Sequence, residues 1–201
     1  MSSVTFDDGL ASLYTHAWPL LRKNRIPATI FLVAQTLAPE GKTVDWIDNP
    51  PGHDLETLAL EQILEMQESG IEFGSHSYAH LNLSELTEEE CERDLRASRE
   101  LLEDLLRRPV PLLAYPRGLH NPRVHRAARR AGFEFGFGTS KPPQARGPLA
   151  IPRVGVYPDN GPLSLRMKSM SLYSAIRTSR ALGRLHSPLG RSRPAGDSEI
   201  E

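Results

Sequence analysis

Cysteine is almost absent: Cys91 is the single one in 201 residues, so no internal disulfide can form and no cysteine cluster can hold a metal. Long hydrophobic runs are absent as well. None approaches the roughly 18 residues of a membrane span. The chain also lacks a basic and apolar leader, so as written it carries no export signal and reads as cytoplasmic. It reads as extracytoplasmic if a leader was trimmed ahead of Met1-Ser2-Ser3. Acids are scarce in one part only. Met1 to His120 carries 10 basic and 20 acidic residues, whereas Asn121 to Gly196 carries 14 basic and 2 acidic ones, Glu134 and Asp159. The basic part is expected either to be a solvated face or to meet something anionic, such as a membrane surface. Aromatic and basic residues are not interleaved and no nucleic-acid-binding motif is present, which argues against a nucleic-acid partner.

What is present is an alternation of apolar runs and helical patterns. "SVTF", "PATIFLVA", "IEFGSHS", "VPLLAYP", "FEFGFGTS" and "LAIPRVGV" read as strands. Between them, "YTHAWPLLRKNR" reads as a helix with Pro19 in its first turn, and "LETLALEQILEMQESG" as a helix stopped at Gly70. "TEEECERDLRASRELLEDLLRR" is the longest helix, opened by a Thr87–Glu90 capping box. "NPRVHRAARRAG" opens on an Asn cap with Pro at the first helical position. Such alternation predicts parallel β/α units. The expected organisation is a catalytic domain over 1–160, a basic helical extension over 161–185 and a disordered tail over 186–201. Cys91 is expected to be an inert helix residue.

In β/α folds of the barrel kind, chemistry gathers at the carboxyl ends of strands. The first strand ends on Asp7-Asp8, two adjacent carboxylates that repel each other. The third ends in "GSHSYAH", with His76 and His80 spaced i, i+4, which on a helical turn puts both imidazoles on one side. One carboxylate and two imidazoles make a set suited to Zn2+ or a similar divalent ion with positions left for water. A cation would also remove the penalty of the paired carboxylates, leaving one Asp as ligand and the other as base.

"TFDDG", "HSYAH" and "YPRG" resemble the first three motifs of the NodB-homology polysaccharide deacetylases, carbohydrate esterase family 4, and "IPATIFLVA" and "GIEFGSHSYAHLNLSELT" are similar to it as well. The resemblance runs from about Val4 to Val156. It implies a distorted (β/α)7 barrel, here incomplete for lack of strands, and N-acetylated glycan substrates. It implies Asp7 as general base, and Asp8, His76 and His80 as ligands of Zn2+, Co2+, Ni2+ or Mn2+. The tetrahedral oxyanion would be held by the metal and by a backbone N–H, that of Arg117.

The third motif departs from the family pattern: Ala114-Tyr115-Pro116-Arg117-Gly118 lacks the arginine that usually orients the catalytic Asp. Arg153, in "IPRVGV", is the expected substitute. Tyr115 and Pro116 fall to the substrate side by alignment with that motif, and Trp46, in the long polar loop, is a candidate for stacking on a sugar ring. The fourth motif has no counterpart. The late histidine of the fifth, the usual general acid, is open between His186, His120 and His125 or none. The basic segment around "LSLRMKSMSLYSAIRTSRALGRL" is a candidate for peripheral membrane contact, or else a helix closing the barrel bottom. Nothing in the sequence indicates an oligomeric state. The leading activity is removal of N-acetyl groups from N-acetylhexosamine units. The competing readings are a carbohydrate-binding barrel that no longer cuts and an O-acetyl esterase.

Overall fold

The computed structural model describes residues 3–47, 55–139, 147–157 and 160–168. Its centre is a parallel sheet whose strands follow one another in chain order: β1 (Val4–Phe6), β2 (Ala28–Leu32), β3 (Glu72–Ser75), β4 (Leu112–Ala114), β5 (Phe135–Thr139) and β6 (Ile151–Arg153). Each pair is parallel, with registers such as Thr5 beside Thr29, Phe31 beside Gly74 and Thr139 beside Arg153. All six predicted strands are there. The sheet curls into a half-barrel, an incomplete version of the distorted (β/α) barrel.

Four helices follow the strand–helix alternation: α1 (Trp18–Asn24), α2 (Leu60–Glu68), α3 (Glu88–Leu106) and α4 (Pro122–Arg130). A π-helical turn, Leu13–Ala17, leads into α1, and Pro19 sits in the first turn of α1 as expected. α2 starts later than its apolar pattern does, because residues ahead of it are spent differently: Thr57 bridges to Leu10, and Ala59 caps the helix in an extended conformation. α3 opens on the predicted capping box, in which the Thr87 hydroxyl accepts from Glu90 N–H and the Glu90 carboxylate accepts from Thr87 N–H. A short fifth helix, α5 (Pro162–Lys168), is all of the basic extension that falls within the described residues. The rest of the expected extension, and the expected tail, lie outside them. Among the described residues, no helix is long and apolar enough to cross a membrane.

Period-two alternation sorts the strand side chains onto two faces. Ile30, Leu32, Phe73, Leu113 and Tyr115 face the helices and join the core with Leu95, Leu102, Leu106, Val124 and Ala127. Thr5, Phe31, Gly74, Phe137 and Arg153 alternate with these and face the concave side. There the rings of Phe31 and Phe137 lie 5.5 Å apart and the Arg153 guanidinium sits 5.4 Å from the Phe31 ring centre. Gly74 is required by this packing: a Cβ there would stand 2.7 Å from the Phe31 ring.

The charge asymmetry has a partly internal explanation. Arg126 and Arg130 of α4 pair with Glu88, and Arg130 also approaches Glu92, so the basic half of the chain meets the acidic half across the α3–α4 contact. These pairs are half-exposed and each contributes little. Cys91 is buried in α3, and burial pushes its thiol up to about 12, which makes it unreactive. Thr87→Ala is expected to remove the cap of α3 and lower stability by about 1 kcal/mol, read as an earlier urea midpoint at unchanged slope.

Candidate metal and catalytic site

Strand ends β1 and β3 bring Asp7, Asp8, His76 and His80 together. Asp8 Oδ1 lies 3.8 Å from His76 Nε2 and 3.5 Å from His80 Nε2, and Asp7 Oδ2 lies 3.9 Å from His76 Nε2. One donor atom from each of Asp8, His76 and His80 can be chosen so that all lie within 4.8 Å of one another. The chemistry of the donor set fits a divalent ion. His76 Nδ1–H donates to the Ala114 carbonyl at 2.8 Å, which keeps the proton on Nδ1 and leaves the Nε2 lone pair facing the site. Burial, reinforced by the Arg117 charge, pulls His80 down to about 3, so its ring is neutral, as ligation requires. Among the described residues His80 Nδ1 is buried without a hydrogen-bond partner, a cost that the core would avoid and a functional site tolerates. Burial pushes the Asp8 carboxyl above its ordinary range, against the lowering pull of His76 and the Trp46 hydrogen bond, a balance that a bound cation would reverse.

The two histidines do not meet for the reason their spacing suggests. Residues 76–80 are not helical. They form a tight loop in which Ser77 and His80 adopt left-handed φ values of 69° and 55°. Asp8 and Arg117 at the neighbouring strand ends are left-handed too, at 69° and 57°. For such residues this conformation costs about 1–3 kcal/mol each and persists only where surrounding contacts impose it. The contacts come from α3. Asp94 accepts from Tyr78 N–H at 3.0 Å and Ala79 N–H at 3.2 Å. The Ser77 oxygen in turn accepts from His80 N–H at 2.9 Å, and Ser75 pairs with Ser98 of α3 at 2.5 Å. Sequence reading missed Asp94. Its signal is an acid sitting among the inward positions of an amphipathic helix, three residues after buried Cys91 and one before buried Leu95.

Arg153 reaches Asp7 across the open side of the half-barrel. Its Nη1 and Nη2 donate to Asp7 Oδ1 at 2.6 Å and Oδ2 at 2.8 Å, and Nη1 also donates to Thr5 Oγ1 at 3.2 Å. Burial pushes the Asp7 carboxyl up, but the surrounding groups, among them the hydrogen bonds and charge of Arg153, outweigh it, and the net shift is down.

The other expected residues are placed as follows. Trp46 lies over the site: its indole N–H donates to Asp8 Oδ1 at 2.8 Å and its ring stacks on His80. Tyr115 and Pro116 are buried, and the Tyr115 hydroxyl donates to Leu149 O at 2.9 Å, so the Tyr115 ring packs in the core rather than lining the site. Arg117 heads a left-handed turn beside His80. His120 and His125 are joined to each other at 2.8 Å and packed against Tyr115, with His120 over Gly138 on the helix-facing side of the sheet, which does not favour either as the proton donor. His186 lies outside the described residues. Asp94→Asn, which turns one acceptor into a donor facing a backbone N–H, is expected to lower stability by about 1.5–3 kcal/mol in urea unfolding.

Comparison with known proteins agrees with this geometry. The polysaccharide deacetylase family model matches residues 1–136. The putative polysaccharide deacetylase YxkH of Bacillus subtilis is 32% identical over 157 residues, covering 77% of this chain and 51% of that protein. The poly-beta-1,6-N-acetyl-D-glucosamine N-deacetylase of Staphylococcus aureus is 28% identical over 143 residues, 67% of this chain and 46% of its own length. The chain therefore spans about half the length of the curated relatives it matches. Among solved structures, the Streptococcus pyogenes deacetylase PplD, in complex with acetate, superposes with a TM-score of 0.69 at 24% identity, over 84% of this chain and 70% of that one. IcaB from Ammonifex degensii superposes at 0.61 with 28% identity, over 78% and 68%. With the family model covering two thirds of the sequence, and the paired aspartates and two histidines of its motifs gathered at one end of a curled parallel sheet, the chain belongs to the polysaccharide deacetylase family.

Proposed function

We propose that this chain removes acetyl groups from N-acetylated hexosamine units of a polysaccharide by metal-assisted hydrolysis, with Asp7 as the base. The observation that carries the reading is the division of labour between adjacent carboxylates: Asp7 is held by two hydrogen bonds from Arg153, while Asp8 faces the two imidazoles. A binding module has no use for a base held ionised beside a metal site. A relative named as an N-deacetylase of poly-beta-1,6-N-acetyl-D-glucosamine supports a β-linked N-acetylglucosamine polymer as the substrate class.

Asp8, His76 and His80 would hold the ion, with Zn2+ the best match to one carboxylate and two imidazoles. When bound, the ion supplies a Lewis acid for the acetyl carbonyl and brings the pKa of a bound water to about 7. Asp7 accepts the proton of the attacking water through a carboxylate oxygen. Arg153 fixes both Asp7 oxygens and keeps the group ionised, replacing the arginine missing from the Tyr115-Pro116-Arg117-Gly118 motif. The backbone N–H of Arg117, at the end of β4, is assigned to the developing oxyanion. The products are a free amine and acetate.

Two measurements test this reading. Elemental analysis and acetate release from β-1,6-linked N-acetylglucosamine oligomers are compared for wild type and Asp7→Asn. Stoichiometric metal in both, with release from wild type only, is the expected result. Metal in both with no release from either, or release from acetylated xylan alone, would sink it. Arg153→Ala is expected to retain metal but move the acid limb of the pH–rate profile upward. The sign follows from Asp7: losing a partner that lowers its pKa leaves it protonated to higher pH. An unchanged profile would remove Arg153 from the mechanism.

A further inference from the structure

The segment between β2 and α2 reads in sequence as a polar loop, with Trp46 as a sugar-stacking candidate. Its described part instead grips the ligand residues from two directions. The Trp46 indole N–H donates to Asp8 Oδ1 at 2.8 Å, and that same oxygen is the one turned toward His76 Nε2 and His80 Nε2, at 3.8 and 3.5 Å. The Trp46 ring lies on the His80 ring, centroids 4.9 Å apart and planes 22° apart. Lys42, from the same segment, donates to the carbonyl of Ala79 between the two histidines at 3.2 Å, pairs with Asp45 at 3.5 Å, and places its ammonium 5.7 Å from the Trp46 ring centre.

We propose that Trp46 is a positioning residue of the metal centre rather than a sugar platform. A carboxylate oxygen has two lone pairs. The indole N–H takes one and fixes the carboxylate rotation, so the other lone pair of Oδ1 stays directed at the space between the imidazoles. The stacking sets the plane of His80, whose Nδ1 has no hydrogen-bond partner among the described residues to orient it. In most metal sites a ligating histidine is aimed by a hydrogen bond at its second nitrogen, and here His76 has one to Ala114 while His80 has an aromatic face instead. The ring face turned to His80 is not available to a saccharide.

The inference rests on the metal reading proposed above, and the test separates the two. Co2+ binding is measured by equilibrium dialysis on the full chain for wild type, Trp46→Phe and Trp46→Leu, alongside metal-free melting temperatures. Trp46→Phe keeps a stacked ring and loses the donor. Trp46→Leu loses both. Removing such an outer partner is expected to weaken Co2+ binding by about 10–100-fold, more for Leu than for Phe, with the metal-free melting temperature unchanged. A second readout is spectroscopic. The chain has two tryptophans. The difference in emission between wild type and Trp46→Phe isolates Trp46, and saturating Co2+ is expected to quench it. Co2+ affinity in Trp46→Phe and Trp46→Leu equal to wild type, with only KM for the oligosaccharide raised, would overturn the inference and restore the sugar-stacking role. A wild type that binds no Co2+ would instead bring down the metal reading itself.

Discussion

The pair between Asp7 and Arg153 is the constraint around which the site is organised. β1 and β6 are the two edges of the curled sheet and do not hydrogen-bond to each other through their backbones. Arg153 spans the opening between them, binding both oxygens of Asp7 and the hydroxyl of Thr5. The guanidinium is rigid and planar, and a fork of two parallel hydrogen bonds defines the plane of the carboxylate as well as its position. One contact therefore ties the first strand to the last and aims the residue assigned as base. The aromatic pair of Phe31 and Phe137 beneath Arg153 supports the same guanidinium from the concave side of the sheet.

The second constraint is conformational. Asp8, Ser77, His80 and Arg117 are left-handed, and all lie at the carboxyl ends of β1, β3 and β4, where the site is. Strain of this kind needs compensation. For the histidine loop it comes from α3, through Asp94 and Ser98, and for Asp8 from the loop that carries Trp46. The longest helix of the fold is thus more than a cover for the sheet. Its apolar face, with Leu95, Leu102 and Leu106, anchors it in the core, and that anchoring is what gives the Asp94 carboxylate a fixed place from which to hold backbone N–H groups.

Much of the site was legible in the sequence because its residues sit next to strand signals. Asp7 and Asp8 follow an apolar run directly, and His76 follows another. The partner of Asp7 could be named because a missing arginine leaves a carboxylate that needs a cation, and "IPRVGV" offers one on a strand. Asp94 carries a signal, its place among the inward positions of α3, but that signal does not say which backbone turn the carboxylate holds. Trp46 was read as a sugar platform because a loop tryptophan with no visible partner is most simply assigned to a ligand. Tyr115 was placed on the substrate side by its motif, but period-two alternation from Leu113 points it into the core.

By itself the sequence determined the alternation of strands and helices, the helix caps and which side chains gather at the candidate metal site. All of these follow from local periodicity, capping chemistry and short motifs, which act within a few residues along the chain. Only the tertiary structure decided that Arg153 grips both oxygens of Asp7 from 146 positions away, that Asp94 clamps the histidine loop, and that Trp46 hydrogen-bonds Asp8. Those contacts depend on how far the sheet curls and on which face of each helix turns inward. That is set by the summed packing of the core, in which no single stretch of sequence carries the answer.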